Sequence, residues 1–377
     1  MRKKLTDMCT IQYGYAFDSK EFTDNSNFPQ LVRIRDVKRG YSETFFQGKY
    51  SLEYIIHTGD LLIGMDGEFN IARWRSGDAL LNQRVCKVTV KEDVDEEYLR
   101  FSLSRALKQI ENRTSFVTVK HLSTKELNSL ELECPNIQKQ KEISDRLVKI
   151  EEIISLRQQQ LAKLDELVKA RFVEMFGNPL DGTAKYLIHQ VGKVAEAVDP
   201  QPSHRTPPIE EGGIPYVSIK DCDYKTGKID FQGARRVSTK VLEEHLQRYT
   251  LKDGDFIIGK IGTIGQPIFV PARRDYALSA NIVLIQPDNE QVSPYFLKYS
   301  FESDFVERQF AEAKNSTSQA AFGIQKVRTI EIMDPDLDVQ RTFERSVKQI
   351  DKLKLSVQKS LEQMETLKKA LMQKYFG

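Results

Sequence analysis

GDLLIGMDG, Gly59 to Gly67, and GDFIIGKIG, Gly254 to Gly262, are nearly the same nine residues written twice in one chain of 377. A glycine-flanked apolar run says little alone, but self-similarity at a long period marks a duplicated structural unit. The flanks recur as well. LVRIRD (Leu31 to Asp36) matches YVSIKD (Tyr216 to Asp221), 185 residues on, and the two glycine-bounded runs stand 195 apart. EYLRFSL from Glu97 matches PYFLKYS from Pro294, 197 on. SLELECPNIQKQ, ending at Gln140, matches TIEIMDPDLDVQ, ending at Gln340, and MFG at Gly177 matches YFG at Gly377, both 200 on. The offset only grows, as insertions in surface loops of the second copy would make it.

Each copy has two parts. The first mixes strand and helix. In LVRIRDV the alternation puts Val32 and Ile34 on one face of a strand and Arg33 and Arg35 on the other. Its partner sets Val217 and Ile219 against Ser218 and Lys220. DLLIG and DFIIG are expected as buried strands entered from a Gly-Asp turn. The second part is a long helix. Ile143, Leu147, Ile150, Ile154, Leu161, Leu164 and Val168 follow heptad spacing, and so do Phe343, Val347, Ile350, Val357, Leu361, Met364 and Leu371. Gly177 and Pro179 stop the first helix. Arg157, Lys354 and Lys368 interrupt the seams. Drift of the stripe or snorkelling is the preferred explanation, and fixing of register between helices the sharper alternative.

One long helix cannot bury its stripe alone, but two in one chain can bury theirs against each other. The expectation is an α+β fold of four segments. They are a mixed domain over 1–136, a helix over 137–178, a second mixed domain over 179–336 and a second helix over 337–377. The helices would form an antiparallel coiled coil with pseudo-twofold symmetry and the domains at opposite ends.

Composition bounds the chemistry. There are 56 basic and 54 acidic residues, net +2, which is less basic than most nucleic-acid binders. No apolar run approaches the roughly 18 residues of a membrane span. MRKKLTDMCT has no apolar stretch behind it, so a secretory signal is not expected, and a cytoplasmic protein is. Cys9, Cys86, Cys134 and Cys222 are scattered without metal-ligand spacing, and no metal is expected. GDFIIGKI resembles a phosphate-binding loop but puts Ile261 where a hydroxyl should be, and FII reads as strand interior. The five histidines show no acid or nucleophile partner in the sequence. The chain reads as a binder, not an enzyme.

In this order, occurring twice, the motifs resemble the specificity subunits of Type I restriction–modification enzymes over essentially the whole chain. That family carries a Pro-x-x-x-x-Gln segment leading into each long helix, here PNIQKQKEI from Pro135 and PDLDVQRTF from Pro335, with Gln140 and Gln340 in place. The usual extra prolines are reduced to one per copy. The resemblance implies two target-recognition domains reading a bipartite double-stranded DNA site across a gap set by the coiled coil. It also implies two methyltransferase subunits that methylate adenine and, in systems that cut, a translocating restriction subunit. S-adenosylmethionine and ATP would belong to those partners, and no cofactor to this chain. The alternative is a non-catalytic coiled-coil scaffold with duplicated protein- or RNA-binding domains.

Base edges are read by side chains rich in donors and acceptors. The candidates in the first domain are Arg33 and Arg35; Asn82, Gln83 and Arg84; and Arg113, Ser115, Thr118 and Lys120. Their repeat partners are Ser218 and Lys220; Ser279 and Asn281; and Asn315, Ser316, Thr317, Ser318 and Gln319. Lys38, Arg39, Arg235, Arg236, Lys260, Arg273 and Arg274 complete the expected DNA-facing set, mostly as phosphate contacts.

Overall fold

A computed structural model describes the chain except for residues 114–119, 204, 225, 261–264 and 316–322, and the side chains of 314–315. Contacts divide it into two compact units, Met1–Gln158 with Lys359–Gly377, and Gln159–Gln358.

The units share one main sheet and differ in a second, five-stranded in the first and three-stranded in the second among the described residues. The first holds an antiparallel sheet in the order Cys9–Tyr13, Val85–Val90, Leu61–Gly64, Asn70–Arg73. The second repeats it as Ala195–Val198, Ile282–Pro287, Phe256–Gly259, Ile268–Phe269. Each unit also has one parallel pairing, Gln30–Val32 with Ala79–Leu81 and Ile214–Val217 with Ala277–Leu278. Each closes with an antiparallel pair, Arg2–Lys4 with Glu131–Glu133 and Ile188–Gln190 with Glu331–Met333.

The glycine-bounded runs are strands, as expected, and the topology explains why three consecutive residues are apolar. Leu61 and Ile63 face a core shared with Leu99, Leu103 and Leu107 of the helix Glu96–Arg113, while Leu62 faces a second core with Val32 and Trp74. Phe256 and Ile258 divide from Ile257 in the same way. A strand covered on both faces has no polar side to alternate with. Gly59 (φ 96°) and Gly254 (φ 95°) take the left-handed turn before each strand. The following aspartates fix that turn, Asp60 accepting the His57 N–H at 2.8 Å and Asp255 that of Lys252 at 2.8 Å.

The polar strand face expected for Arg33 and Arg35 does not form. The strand ends at Val32, Arg33 caps, and Ile34–Arg39 is helical. Asp36 causes the switch by accepting the Arg33 N–H at 2.9 Å, and Asp221 accepts that of Ser218 at 2.8 Å ahead of the short helical turn Ile219–Asp221. An acidic side chain three residues past the cap favours a helix start over continued strand.

The long helices run Ile137–Phe176 and Leu337–Phe376, each about 60 Å at 1.5 Å per residue. Gly177 (φ 80°) ends the first, donating its N–H to Val173 C=O at 2.8 Å. Each unit holds a part of both helices, running antiparallel. In the first unit Arg146 donates to the Tyr375 hydroxyl (3.2 Å) and Lys368 pairs with Glu151 (2.7 Å). In the second, Lys354 pairs with Asp165 (2.5 Å). Two of the three seam interruptions therefore tie facing helices together, and register fixing replaces the preferred snorkelling reading. Glu151 also takes Arg100 at 2.6 Å; burial raises its carboxyl, but Arg100 and then Lys368 outweigh this, leaving it below the ordinary glutamate value.

The ends of the seam do more than meet the other helix. Ile143 and Leu147 pack with Tyr98 and Phe101, and Phe343, Val347 and Ile350 pack with Phe296. Ile154, Leu161, Leu164 and Met364, nearer the helix middles, are only half-buried. Gln140 and Gln340, 0% and 2% exposed, lock each helix to its domain. Gln140 accepts the Asp95 N–H (2.9 Å) and donates to Pro135 C=O (2.8 Å); Gln340 accepts the Ser293 N–H (2.8 Å) and donates to Pro335 C=O (2.8 Å).

His245, 2% exposed, donates from Nε2 to Gln201 (2.6 Å) and accepts at Nδ1 from the Tyr249 hydroxyl (3.1 Å). Burial first, then Arg248, lowers its pKa to about 4. The folded ring stays neutral while the unfolded ring takes a proton below about 6.5, so stability is lost as pH falls from about 6.5 to 4. The loss should reach on the order of 2 kcal/mol, with His245→Gln flattening it in urea titrations across that range.

Candidate nucleic-acid interface

Turning the chain at Asp36 brings together what the sequence kept apart. Arg33 and Arg35, at the start of the Ile34–Arg39 helix, line a cleft of about 440 Å³ with Asn82, Gln83 and Arg84. Phe17, Ser19, Phe22 and Ile34 form the rest of its wall. The parallel pairing of Gln30–Val32 with Ala79–Leu81 does this, because both strands end at the same edge. Gly14 is required behind it, since a Cβ there would stand 2.0 Å from Asn82 O.

Asn82 is buried and accepts the Gln83 N–H at 2.9 Å, so it shapes the loop while Gln83 and Arg84 reach outward. Arg84 has a left-handed backbone (φ 68°), the one non-glycine among the described residues to do so. Such strain costs roughly 1–3 kcal/mol and collects at functional positions.

The third cluster converges on the second. Residues 120–122 run beside Met65–Gly67, with Gly67 N–H donating to Lys120 C=O (2.9 Å) and Leu122 N–H to Met65 C=O (2.7 Å). His121 Nδ1 lies 2.5 Å from Asp66, whose other oxygen is 3.6 Å from Arg84 Nε, and Arg84 Nη1 is 2.9 Å from His121 Nε2. Lys120 meets Glu111 at 3.4 Å. The histidines lacking visible partners in the sequence have them here: His57 pairs with Asp78, His121 with Asp66 and His189 with Asp334. Asp66, Phe17 and Phe22 were not legible as site residues. His121, which ends the donor-rich stretch from Asn112, was not legible as the partner of Asp66, because only the fold closes the 55-residue gap between them.

On the same helix Lys38 and Arg39 are exposed and pair loosely with Glu68 (3.2 Å) and Glu43 (3.9 Å). Arg113 is exposed at the end of its helix. Ser115, Thr118, Ser316, Thr317, Ser318 and Gln319 lie outside the described residues, as does the side chain of Asn315.

In the second unit the equivalent edge carries Ser218, Lys220, Ser279 and Asn281, with Ser279 N–H donating to Val217 C=O at 2.8 Å. Lys220 is exposed, while Ser218 and Ser279 are buried. Lys260, expected to face DNA, is 5% exposed and paired with Asp199 at 2.8 Å, so its charge is turned inward. A buried cation is tolerated only with such a partner. Arg235 and Arg236 stand on one edge strand and donate to Pro207 C=O (2.7 Å) and Gly213 C=O (3.1 Å). Arg273 pairs with Asp275 and lies 4.6 Å from the Phe231 ring, and Arg274 is exposed.

The described residues hold no group of three His, Cys, Asp or Glu that could hold a metal ion, and no helix long and apolar enough to cross a membrane. The P-loop-like run is a buried strand over Phe256–Gly259, as its apolar interior implies.

A family described as the Type I restriction modification DNA specificity domain matches twice, over residues 1–166 and 203–366. The Type I restriction enzyme EcoBI specificity subunit of Escherichia coli is 26% identical over all of this chain and 85% of its own length. The MjaVIII specificity subunit of Methanocaldococcus jannaschii is 22% identical over 85% of this chain and 79% of its own. Among solved structures, a Type I restriction–modification S subunit from M. genitalium superposes with a TM-score of 0.61 at 12% identity, covering 100% of this chain and 96% of that one, a likeness of fold. Two matched copies, which share the order of the four-stranded sheet, the parallel pairing and a long helix each, place this chain in the family of Type I restriction modification DNA specificity domains.

Proposed function

We propose that the chain is the DNA-recognition subunit of a Type I restriction–modification complex. Each domain reads one half of a bipartite double-stranded target, the paired helices set the unread gap, and docked methyltransferase subunits methylate adenine. The chain itself performs no chemistry; S-adenosylmethionine and ATP act on the partner subunits, including a restriction subunit in a system that cuts. One observation carries this reading. Both units keep polar side chains at the same edge of the same fold but change their identity, Arg33 to Ser218, Arg35 to Lys220, Asn82 to Ser279 and Arg84 to Asn281. Two half-sites of different sequence require that arrangement, whereas a generic nucleic-acid surface would need only charge.

The deciding experiment expresses the chain with the methyltransferase encoded beside it in a methylation-free host and maps modified bases by long-read sequencing. A split motif with two short halves around a fixed gap is expected; a continuous motif would sink the two-domain reading. Lys38→Ala and Arg39→Ala should weaken binding to all sequences alike. Each should lower the slope of log K against log salt by about one, as the loss of one phosphate contact does. A change in the motif with an unaltered slope would mean that these side chains read bases.

A further inference from the structure

Positions 84 and 281 occupy one place in the repeated fold. The carbonyl of Arg84 accepts the Met65 N–H (2.9 Å) and that of Asn281 accepts the Lys260 N–H (2.8 Å), each at the end of the glycine-bounded strand. Two residues earlier, Asn82 C=O accepts from Val85 N–H (3.2 Å) and Ser279 C=O from Ile282 N–H (3.3 Å). The backbone hydrogen bonds of the loop are the same, but Arg84 alone takes the left-handed conformation, and the functional group presented differs.

In the first unit that group is a guanidinium, half-exposed at the mouth of the cleft and flanked by Asp66 and His121. A phosphate anchor needs only charge, as Lys38 and Arg39 supply beside exposed acids that water screens. The half-buried Asp66 instead sets its negative charge next to Arg84. A base-reading arginine gains from orientation, because its two donors must meet two acceptors at fixed spacing. The left-handed backbone at Arg84 and the Asp66–His121 buttress provide orientation at the expense of net charge. In the second unit the Ser279 hydroxyl donates to Asn281 Oδ1, which fixes the amide plane and leaves that oxygen's second lone pair and the amide NH₂ for a ligand. The planar arginine fork complements O6 and N7 of guanine, and the asparagine amide complements N6 and N7 of adenine.

We propose that Arg84 reads a guanine in the half-site of the first unit and Asn281 an adenine in that of the second. Asp66 and His121 serve as positioning residues for Arg84. This assignment rests on the DNA-recognition function proposed above.

The test compares the modified motif of the wild-type complex with those of Arg84→Asn and Asn281→Ala. Asparagine tolerates the left-handed backbone, so the first variant changes the side chain without straining its loop. R84N is expected to stop requiring one G·C pair in one half, and N281A one A·T pair in the other, each leaving the opposite half unchanged. Should a variant lose methylation, binding of its purified complex to duplexes carrying single base-pair changes decides the matter. The wild-type penalty for replacing the guanine, about ten- to a hundredfold, should fall below about threefold in R84N. Asp66→Asn should lower guanine discrimination while leaving the salt slope unchanged; a change in slope alone would overturn the positioning role. An unchanged motif in R84N, or relaxation at an A·T pair, overturns the base assignment while the split target stands. A wild-type complex without a split motif instead removes the function on which the assignment rests.

Discussion

Phe176→Ala should destabilise the unit Gln159–Gln358 by about 3–5 kcal/mol, whereas the corresponding Phe376→Ala should cost the other unit about 1–2 kcal/mol. The two phenylalanines end the two long helices and stand in the same repeated motif, but their surroundings differ. Phe176 is fully buried, with ring centroids of Phe296 at 4.8 Å, Phe172 at 4.9 Å, Phe343 at 5.5 Å and Tyr186 at 6.1 Å. Removing it opens a cavity walled by rigid rings that cannot collapse, so the transfer and cavity contributions add. Phe376 is only partly buried, against Tyr98 at 5.3 Å and Tyr375 at 6.5 Å, where solvent can fill the gap. Hydrogen exchange of the strands Phe256–Gly259 and Leu61–Gly64 reads each unit separately. Equal losses of protection in the two variants would mean that the aromatic cluster contributes nothing beyond the shared motif.

The repeat made the duplicated α+β architecture legible, because recurrence of turns and strand runs does not depend on knowing what any one residue touches. Long helices were legible for a similar reason: heptad spacing over 40 residues has few competing explanations. The readings that failed were local and ambiguous. LVRIRD alternates like a strand for six residues, and only the hydrogen bond from the Arg33 N–H to Asp36 decides for a helix from Ile34. Lys354 and Lys368 looked like defects because a seam read on one helix omits the acids on the other, Asp165 and Glu151. Most residues of the cleft could be named in advance, but not their convergence. Arg33 and Arg84 share a wall only because the strands preceding them pair in parallel, and that long-range pairing leaves no periodicity in the sequence.

Gln340→Ala should cost about 3 kcal/mol, and Gln140→Ala a similar amount in its own unit, although neither residue is apolar or near the cleft. Truncating Gln340 leaves two buried backbone groups without that partner, the Ser293 N–H and the Pro335 carbonyl. Truncating Gln140 does the same to the half-buried Asp95 N–H and Pro135 carbonyl. Buried, unsatisfied donors and acceptors cost roughly 1–3 kcal/mol each, more than the net gain of the bonds when made. The stranded N–H groups also sit where a second helix begins. Ser293 caps Pro294–Phe301 by accepting the Phe296 N–H (3.3 Å) and donates to Glu344 (2.8 Å), one turn beyond Gln340 on the long helix. Asp95 accepts the Tyr98 N–H (2.8 Å) at the start of Glu96–Arg113. The glutamine five residues after the proline thus joins the first turn of the long helix to the first turn of a domain helix, twice in one chain. Hydrogen exchange should therefore report opening of Pro294–Phe301 in Gln340→Ala and of Glu96–Arg113 in Gln140→Ala, each with the other unit unaffected. Gln340→Met, which keeps the volume but not the bonds, should lose nearly as much as alanine; near-native protection in that variant would mean that packing, not hydrogen bonding, holds the junction.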